Sequence, residues 1–352
     1  MRAYRLHAWQ EAPHLETVPV PEPRAGEVLV KIAGSGVCHS DLHLMEWPPE
    51  MMDRFGLKPP FTLGHENAGW VEAVGDGVSG LEAGAPVAVY GPWGCGLCYQ
   101  CRLGSENYCE RGGEISGMGG GIGRDGGMAE YLLVPSPRLL VPLPDSLDPR
   151  DAAPLSDAAL TPYHGIRPSL DQLVGGTTAV VIGVGGLGHM GVALLRELTG
   201  AHIVAVDVDE AKLALAQDSG AHRAVLAGEE AAEEIRSLSR GGSGVEFVLD
   251  TVGNDATLAL AAHVVRQRGH LTVVGFGGGT LAWTPIGVLP WAVRLTVPFW
   301  GTLPELAEVL ELAAAGRLRA HATRLPLEEA GAAYEQLRSG TLAGRAVITP
   351  HG

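Results

Sequence analysis

Apolar and polar positions follow two different textures along this chain. Up to about residue 150 the apolar runs are short: EVLVKIAGSGVC at 27–38, NAGWVEAVGDGV at 67–78 and AEYLLVP at 129–135. Short alternating runs cut by glycine and proline predict strands joined by turns. The 67–78 stretch predicts two short strand pieces with a Gly-Asp-Gly turn. Long helical periods are absent here, so a β-rich region carrying loops is expected.

After about residue 153 the texture changes. TTAVVIGVGGLG at 177–188 reads as a buried strand entering a glycine turn, and HMGVALLRELTG as a helix ending at Gly200. AHIVAVDVD at 201–209 reads as a second buried strand and EAKLALAQDSG as a second helix. GVEFVLDTVG at 244–253 and GHLTVVGFGG at 269–278 are further strands with a helical stretch between them. Strands alternating with helices predict a parallel sheet with crossover helices, an α/β fold. LPELAEVLELAAAGRL at 303–318 predicts a helix, and RAVITP at 345–350 a last strand.

Composition bounds the function. The 352 residues are 46% hydrophobic and 18% charged, enough for two domains with substantial cores. A formal net charge of −15 disfavours nucleic acid and an anionic membrane face as partners. The opening MRAYRLHAWQ has no apolar h-region, and no run of about 18 apolar residues occurs. A cytoplasmic protein acting on a small molecule is the expectation.

Four of the five cysteines, Cys95, Cys98, Cys101 and Cys109, fall in the spacing C-x2-C-x2-C-x7-C. Four thiolates this close suit a closed tetrahedral zinc site, which holds structure because no position is open to substrate. A disulfide within 95–109 is the alternative, disfavoured where no export signal precedes it. Cys38 stands apart in CHSD, and His65 lies in LGHE, followed by Glu66. Asp157 in PLSDAALTPYHG is a candidate third ligand, and it equally suits a cap for the helix after it. Zinc with three protein ligands keeps its fourth position for water or substrate.

Gly183, Gly185 and Gly188 supply G-x-G-x-x-G, with Gly186 and Leu187 between the last two. An apolar strand precedes the motif, a helix follows, and Asp207 closes the next strand. That context turns a weak pattern into a dinucleotide site, with the pyrophosphate at the helix N-terminus. A carboxylate at 207 accepts ribose hydroxyls and repels a 2′-phosphate, so NAD is favoured over NADP. Lys212 either pairs with that ribose or Asp207, or is a solvated helix charge.

CHSDLH, LGHE, the four-cysteine lobe, GVGGLG and VAVD, in this order, resemble the zinc-containing medium-chain dehydrogenase/reductases over essentially the whole chain. YGPWGC and DAALTPYH are similar to bacterial NAD-dependent alcohol dehydrogenases of secondary alcohols and ketones. The resemblance implies a GroES-like β-rich catalytic domain, residues 1–155 and 302–352, with a structural zinc lobe at 91–111. A Rossmann domain with a doubly wound parallel sheet would occupy 156–301. Two zinc ions per chain, NAD as cofactor and a homo-oligomer, tetramer rather than dimer, are further implications.

The family's catalytic zinc ligands fall on Cys38, His65 and Asp157. Alcohol dehydrogenase sites built from two cysteines and one histidine are known; this chain departs from them, with aspartate at 157 and no sixth cysteine. By the same resemblance, Asp41 orients His65, Glu66 approaches the metal during ligand exchange, and Ser40 bonds the alcohol hydroxyl. His43 would end the proton relay to solvent. Thr161 would contact the nicotinamide carboxamide, and Arg345 would reach the cofactor phosphates. Trp47, Trp93 and Trp300 are candidate pocket walls, although tryptophan more often packs a core or interface. Alternatives within and outside the enzyme class are a polyol dehydrogenase of the same superfamily and a non-catalytic NAD-binding protein on this fold.

Overall fold

The computed structural model describes residues 1–115 and 117–352. It divides into two compact units. The first comprises Met1–Leu160, Trp300–Gly316 and Ala322–Gly352, and the second Thr161–Phe299 and Arg317–His321.

The first unit is built on a seven-stranded, mostly antiparallel sheet. Val28–Gly36 runs through its middle, pairing antiparallel with Glu66–Val74, Tyr131–Val134 and Arg345–Thr349. Val28, Val30 and Ile32 are buried there with Ala68, Val71, Leu132, Val347 and Ile348. Glu66–Val74 is one nine-residue strand, where two short pieces were expected. Pairing to Val28–Gly36 on one side and Pro86–Val89 on the other sustains it, and two irregularities in the first ladder absorb the glycines. The expected turn falls after the strand, at 75–77.

Short helices interrupt this β-rich region, although it has no long helical period. Helices span His39–Glu46 and Pro49–Arg54. The first is eight residues long, too short to display a helical period clearly. It carries the CHSDLH segment.

The second unit holds a six-stranded parallel sheet. Its order is Arg223–Leu226, His202–Asp207, Thr178–Ile182, Val245–Asp250, Val265–Val273, Arg294–Thr296. Numbered within the unit, that order is 3-2-1-4-5-6, the Rossmann arrangement with its switch point between the first and fourth strands. The strands are near-continuous apolar runs because helices cover the faces. Val180, Val204, Val206, Val248, Leu271 and Ile235 form one buried cluster. The helices Gly186–Leu198 and Glu210–Asp218 fall where the sequence puts them, within three residues at each end.

Phe247 is wholly buried at the centre of this sheet, edge-on to His270. Phe247→Ala should destabilise the second unit by about 3–5 kcal/mol. Chemical denaturation followed by circular dichroism checks this; an unchanged midpoint contradicts it.

Candidate active site

Cys38 leads into the helix His39–Glu46, so one short segment delivers Cys38, Ser40, Asp41 and His43 together. His65 enters immediately before the strand Glu66–Val74. Asp157 follows the 3-10 turn Ala153–Ser156. All three lie in the first unit and are buried.

Their donor atoms converge. Cys38 Sγ is 3.6 Å from Asp157 Oδ2, and His65 Nε2 is 3.6 Å from the same oxygen. Tetrahedral zinc with bonds of about 2.0–2.3 Å separates its donors by about 3.3–3.8 Å. Sulfur, imidazole nitrogen and carboxylate oxygen at this spacing fit zinc. The structure brings Asp157 Oδ2 into this donor cluster, although the sequence leaves it equally suited to a helix cap.

Asp41 sets the tautomer. Its Oδ1 lies 3.0 Å from His65 Nδ1, so Nδ1–H donates to the carboxylate and Nε2 faces the other donors. Burial works to lower the His65 pKa, but Asp41 and the hydrogen bonds the ring donates to its neighbours hold it well above the ordinary value. A zinc ion held there would occupy Nε2 in place of a proton. The other oxygen of Asp41 accepts the Cys38 N–H at 3.1 Å and the Tyr334 hydroxyl at 2.9 Å.

Glu66 stands within 4.8 Å of the same donors but is tied elsewhere. Arg345 Nε donates to Glu66 Oε2 at 2.9 Å and Nη2 to Oε1. Arg345 Nη2 is also 3.5 Å from Asp157 Oδ2. Burial pushes the Glu66 carboxyl up to about 7, against the pull of the guanidinium. The expected role of Arg345 at the cofactor phosphates is not its position here. The side chain is 2% exposed and its guanidinium is committed to two buried carboxylates. Glycine at 36 makes room for the pair, since a Cβ there would lie 1.8 Å from Glu66 Oε2.

Ser40 Oγ is 3.7 Å from Cys38 Sγ. The His43 ring stacks on Trp47 with centroids 4.6 Å apart. Burial lowers the His43 pKa, opposed by Glu46 and Asp41. Trp300 is buried edge-on to His65 at 5.3 Å, and its indole N–H donates to the Ser156 carbonyl. Trp93 is buried too, its N–H donating to the Tyr90 carbonyl.

The second cluster is all sulfur. Cys95 and Cys101 Sγ are 3.9 Å apart, and Cys98 and Cys109 Sγ 4.0 Å, close to the edges of a tetrahedral four-sulfur zinc site. Backbone N–H groups of Leu97 and Cys98 point at Cys95 Sγ and lower its pKa to about 6. Those bonds favour the thiolate that binds metal. Arg138, which the sequence did not single out, clamps this lobe by pairing with buried Glu106 and donating to the Gly94 carbonyl at 2.9 Å.

In the second unit, Gly183 ends the first strand with φ +85°, and the helix Gly186–Leu198 follows with no side-chain cap at Gly185. Its first N–H groups are therefore open to an anion. A Cβ at 188 would lie 1.8 Å from the Gly183 carbonyl oxygen, whereas one at 185 would meet nothing within 4 Å. The third glycine serves close packing and the second leaves open space, as a pyrophosphate requires. Asp207 accepts the Val184 N–H at 2.6 Å and the Asp209 N–H at 3.1 Å. Gly186, Leu187 and Lys212 are partly accessible, and Thr161 is buried.

Residues 24–145 match the family model for the alcohol dehydrogenase GroES-like domain, and 186–315 that for zinc-binding dehydrogenase. The chain belongs to the zinc-containing medium-chain alcohol dehydrogenases. It is 36% identical to an NAD-dependent alcohol dehydrogenase of Sulfurisphaera tokodaii, over 99% of this chain and all of that one. The alcohol dehydrogenase of Aeropyrum pernix superposes with a TM-score of 0.89 at 35% identity, covering 99% of this chain and 100% of that one. Acetophenone reductase from Geotrichum candidum, solved in complex with NAD, gives 0.84 at 30% identity, covering 99% and 96%. This dehydrogenase accordingly uses NAD, with a structural zinc at the cysteine cluster and a catalytic zinc at the Cys38 cluster. Among its described residues no helix is long and apolar enough to cross a membrane.

Three substitutions probe the dehydrogenase's buried charges and its lobe. Glu66→Leu should cost about 3–5 kcal/mol in a denaturant titration, because an arginine that cannot neutralise is left buried beside one carboxylate instead of two. Glu66→Gln, which keeps an acceptor oxygen, should cost less; equal losses would contradict this account. Cys98→Ser should remove one of the two zinc ions by elemental analysis and lower the melting temperature.

Proposed function

We propose that this enzyme interconverts small secondary alcohols and ketones, with Cys38, His65 and Asp157 as the catalytic zinc ligands. The convergence of three chemically different donors on one point, Asp157 Oδ2 at 3.6 Å from both others, carries this reading. Bound zinc supplies a Lewis acid for the alcohol oxygen, and bound NAD supplies the hydride acceptor.

The chain's own residues handle the proton. Ser40 accepts it from the alcohol hydroxyl while releasing its own hydroxyl proton, through the nicotinamide ribose, towards His43. His43, whose pKa burial lowers, passes a proton to solvent. Asp41 holds His65 in the ligating tautomer. Arg345 keeps Glu66 beside the metal donors without making it a permanent ligand. Thr161 orients the carboxamide of NAD, while Gly183, Gly185, Gly186, Leu187 and Gly188 take its pyrophosphate. Asp207, fixed by two backbone N–H groups, takes the adenosine ribose, with Lys212 beside it. The apolar ring of Trp300 against His65 and the likeness to acetophenone reductase support an alkyl or aryl ketone. Trp47 and Trp93 are proposed as further walls.

Assembly is a second part of the reading. Arg294–Thr296 is an edge strand, paired on one side to Val265–Val273. Around it Trp283 and Trp291 are each 66% exposed and Ile286 79%, with Leu295 and Val297. An unpaired strand edge flanked by exposed apolar side chains suits association with a second copy. We propose a cytoplasmic homo-oligomer, a tetramer in which this edge forms one interface.

NADH formation from 2-propanol and cyclohexanol should exceed that from primary alcohols and polyols and should stop after chelation. Turnover that survives full zinc removal contradicts the zinc role, and a polyol preference contradicts the substrate class. Light scattering should give a multiple of the chain mass, reduced by Ile286→Asp with Trp291→Glu; a wild-type monomer refutes the assembly.

A further inference from the structure

The sequence carries no mark on Tyr334, yet its hydroxyl reaches the support of the metal site from the far end of the chain. Tyr334 lies on the helix Ala330–Arg338, with its side chain among the largest that are fully buried. Its ring stacks on Tyr4 with centroids 6.1 Å apart at 17°. Its hydroxyl oxygen is 2.9 Å from Asp41 Oδ2 and 3.0 Å from Met128 Sδ. The single hydroxyl proton goes to the carboxylate, the stronger acceptor.

The division of labour at Asp41 gives that bond a purpose. Oδ1 takes the His65 Nδ1–H, and Oδ2 takes the Cys38 N–H and the Tyr334 hydroxyl. The Cys38 N–H belongs to the residue that leads into Asp41's own helix, so it fixes Asp41 only to its own segment. Tyr334 is a donor from outside that segment, 293 residues away. It therefore ties the carboxylate to the frame against which His65 must be aimed.

We infer that Tyr334 is a positioning residue of the catalytic zinc site, acting through Asp41 on the direction of His65 Nε2. Among the described residues its hydroxyl bonds Asp41 and Met128, neither of which is one of the three metal donors. The inference rests on zinc being held by Cys38, His65 and Asp157.

The test is the rate at which zinc leaves the native, fully loaded enzyme to a colorimetric chelator. Two phases are expected, and Cys38→Ala, which keeps the four-cysteine cluster, identifies the catalytic one by its absence. Tyr334→Phe should speed that phase by about 10-fold, in the range found when a hydrogen-bond partner of a metal ligand is lost. The cysteine-cluster phase should not change. Tyr4→Phe, on the ring stacked against it, should leave both phases unchanged. In an Asp41→Asn background Tyr334→Phe should add little, since the two act as a unit.

A wild-type catalytic phase in Tyr334→Phe overturns the inference. So does equal acceleration of both phases, which marks a general loss of stability, or full additivity with Asp41→Asn. A wild-type enzyme that holds zinc only at the cysteine cluster overturns the ligand assignment instead, and this inference with it.

Discussion

Buried charge is the constraint on which the first unit depends. A thiolate, an imidazole and a carboxylate that are to meet one metal ion must leave water together, and each alone would cost several kcal/mol. The structure compensates them in two directions. Asp41 sits behind His65, holding its outer nitrogen at 3.0 Å. Arg345 sits beside Asp157 and Glu66, a guanidinium among carboxylates. Burial works against its charge, yet Cys38, Glu66 and Asp157 hold its pKa well above the ordinary arginine value. The last strand, Arg345–Thr349, pairs into the sheet beside Val28–Gly36, and this brings the C-terminal arginine to the strand that ends just before Cys38.

The second unit answers a different demand, backbone approach. A parallel sheet buried on both faces presents its strand ends in a row, and Gly183, Gly188 and Asp207 stand at two adjacent ends. Gly188 packs against the Gly183 carbonyl and Asp207 reaches back to the Val184 N–H, so the turn is braced before any ligand arrives. The rigid turn is what leaves the first N–H groups of the helix Gly186–Leu198 open to a phosphate.

Local spacing made parts of this legible. The four cysteines are within fifteen residues, so chain connectivity alone holds them near one another. G-x-G-x-x-G and the following strand-end acid are likewise close in sequence. The helix at His39–Glu46 was missed because eight residues between a strand and a proline show no clear period. Arg345 was assigned a place at the cofactor, but its partner is Glu66, 279 residues earlier, and no local pattern encodes such a pair. Tyr334 and Arg138 were missed for the same reason, each bonding across a long loop of chain.

The sequence by itself determined the kinds of donor, their order and the change from β-rich to alternating α/β texture, because these follow from side-chain chemistry and short-range periodicity. Only the tertiary structure decided which donors meet. Cys38, His65 and Asp157 span 119 residues, and they converge because strand pairing and a buried turn fix their backbones. It also decided the role of Arg345 and the aim of His65, because compensation of buried charge depends on distances of about 3 Å between side chains that the chain order keeps far apart.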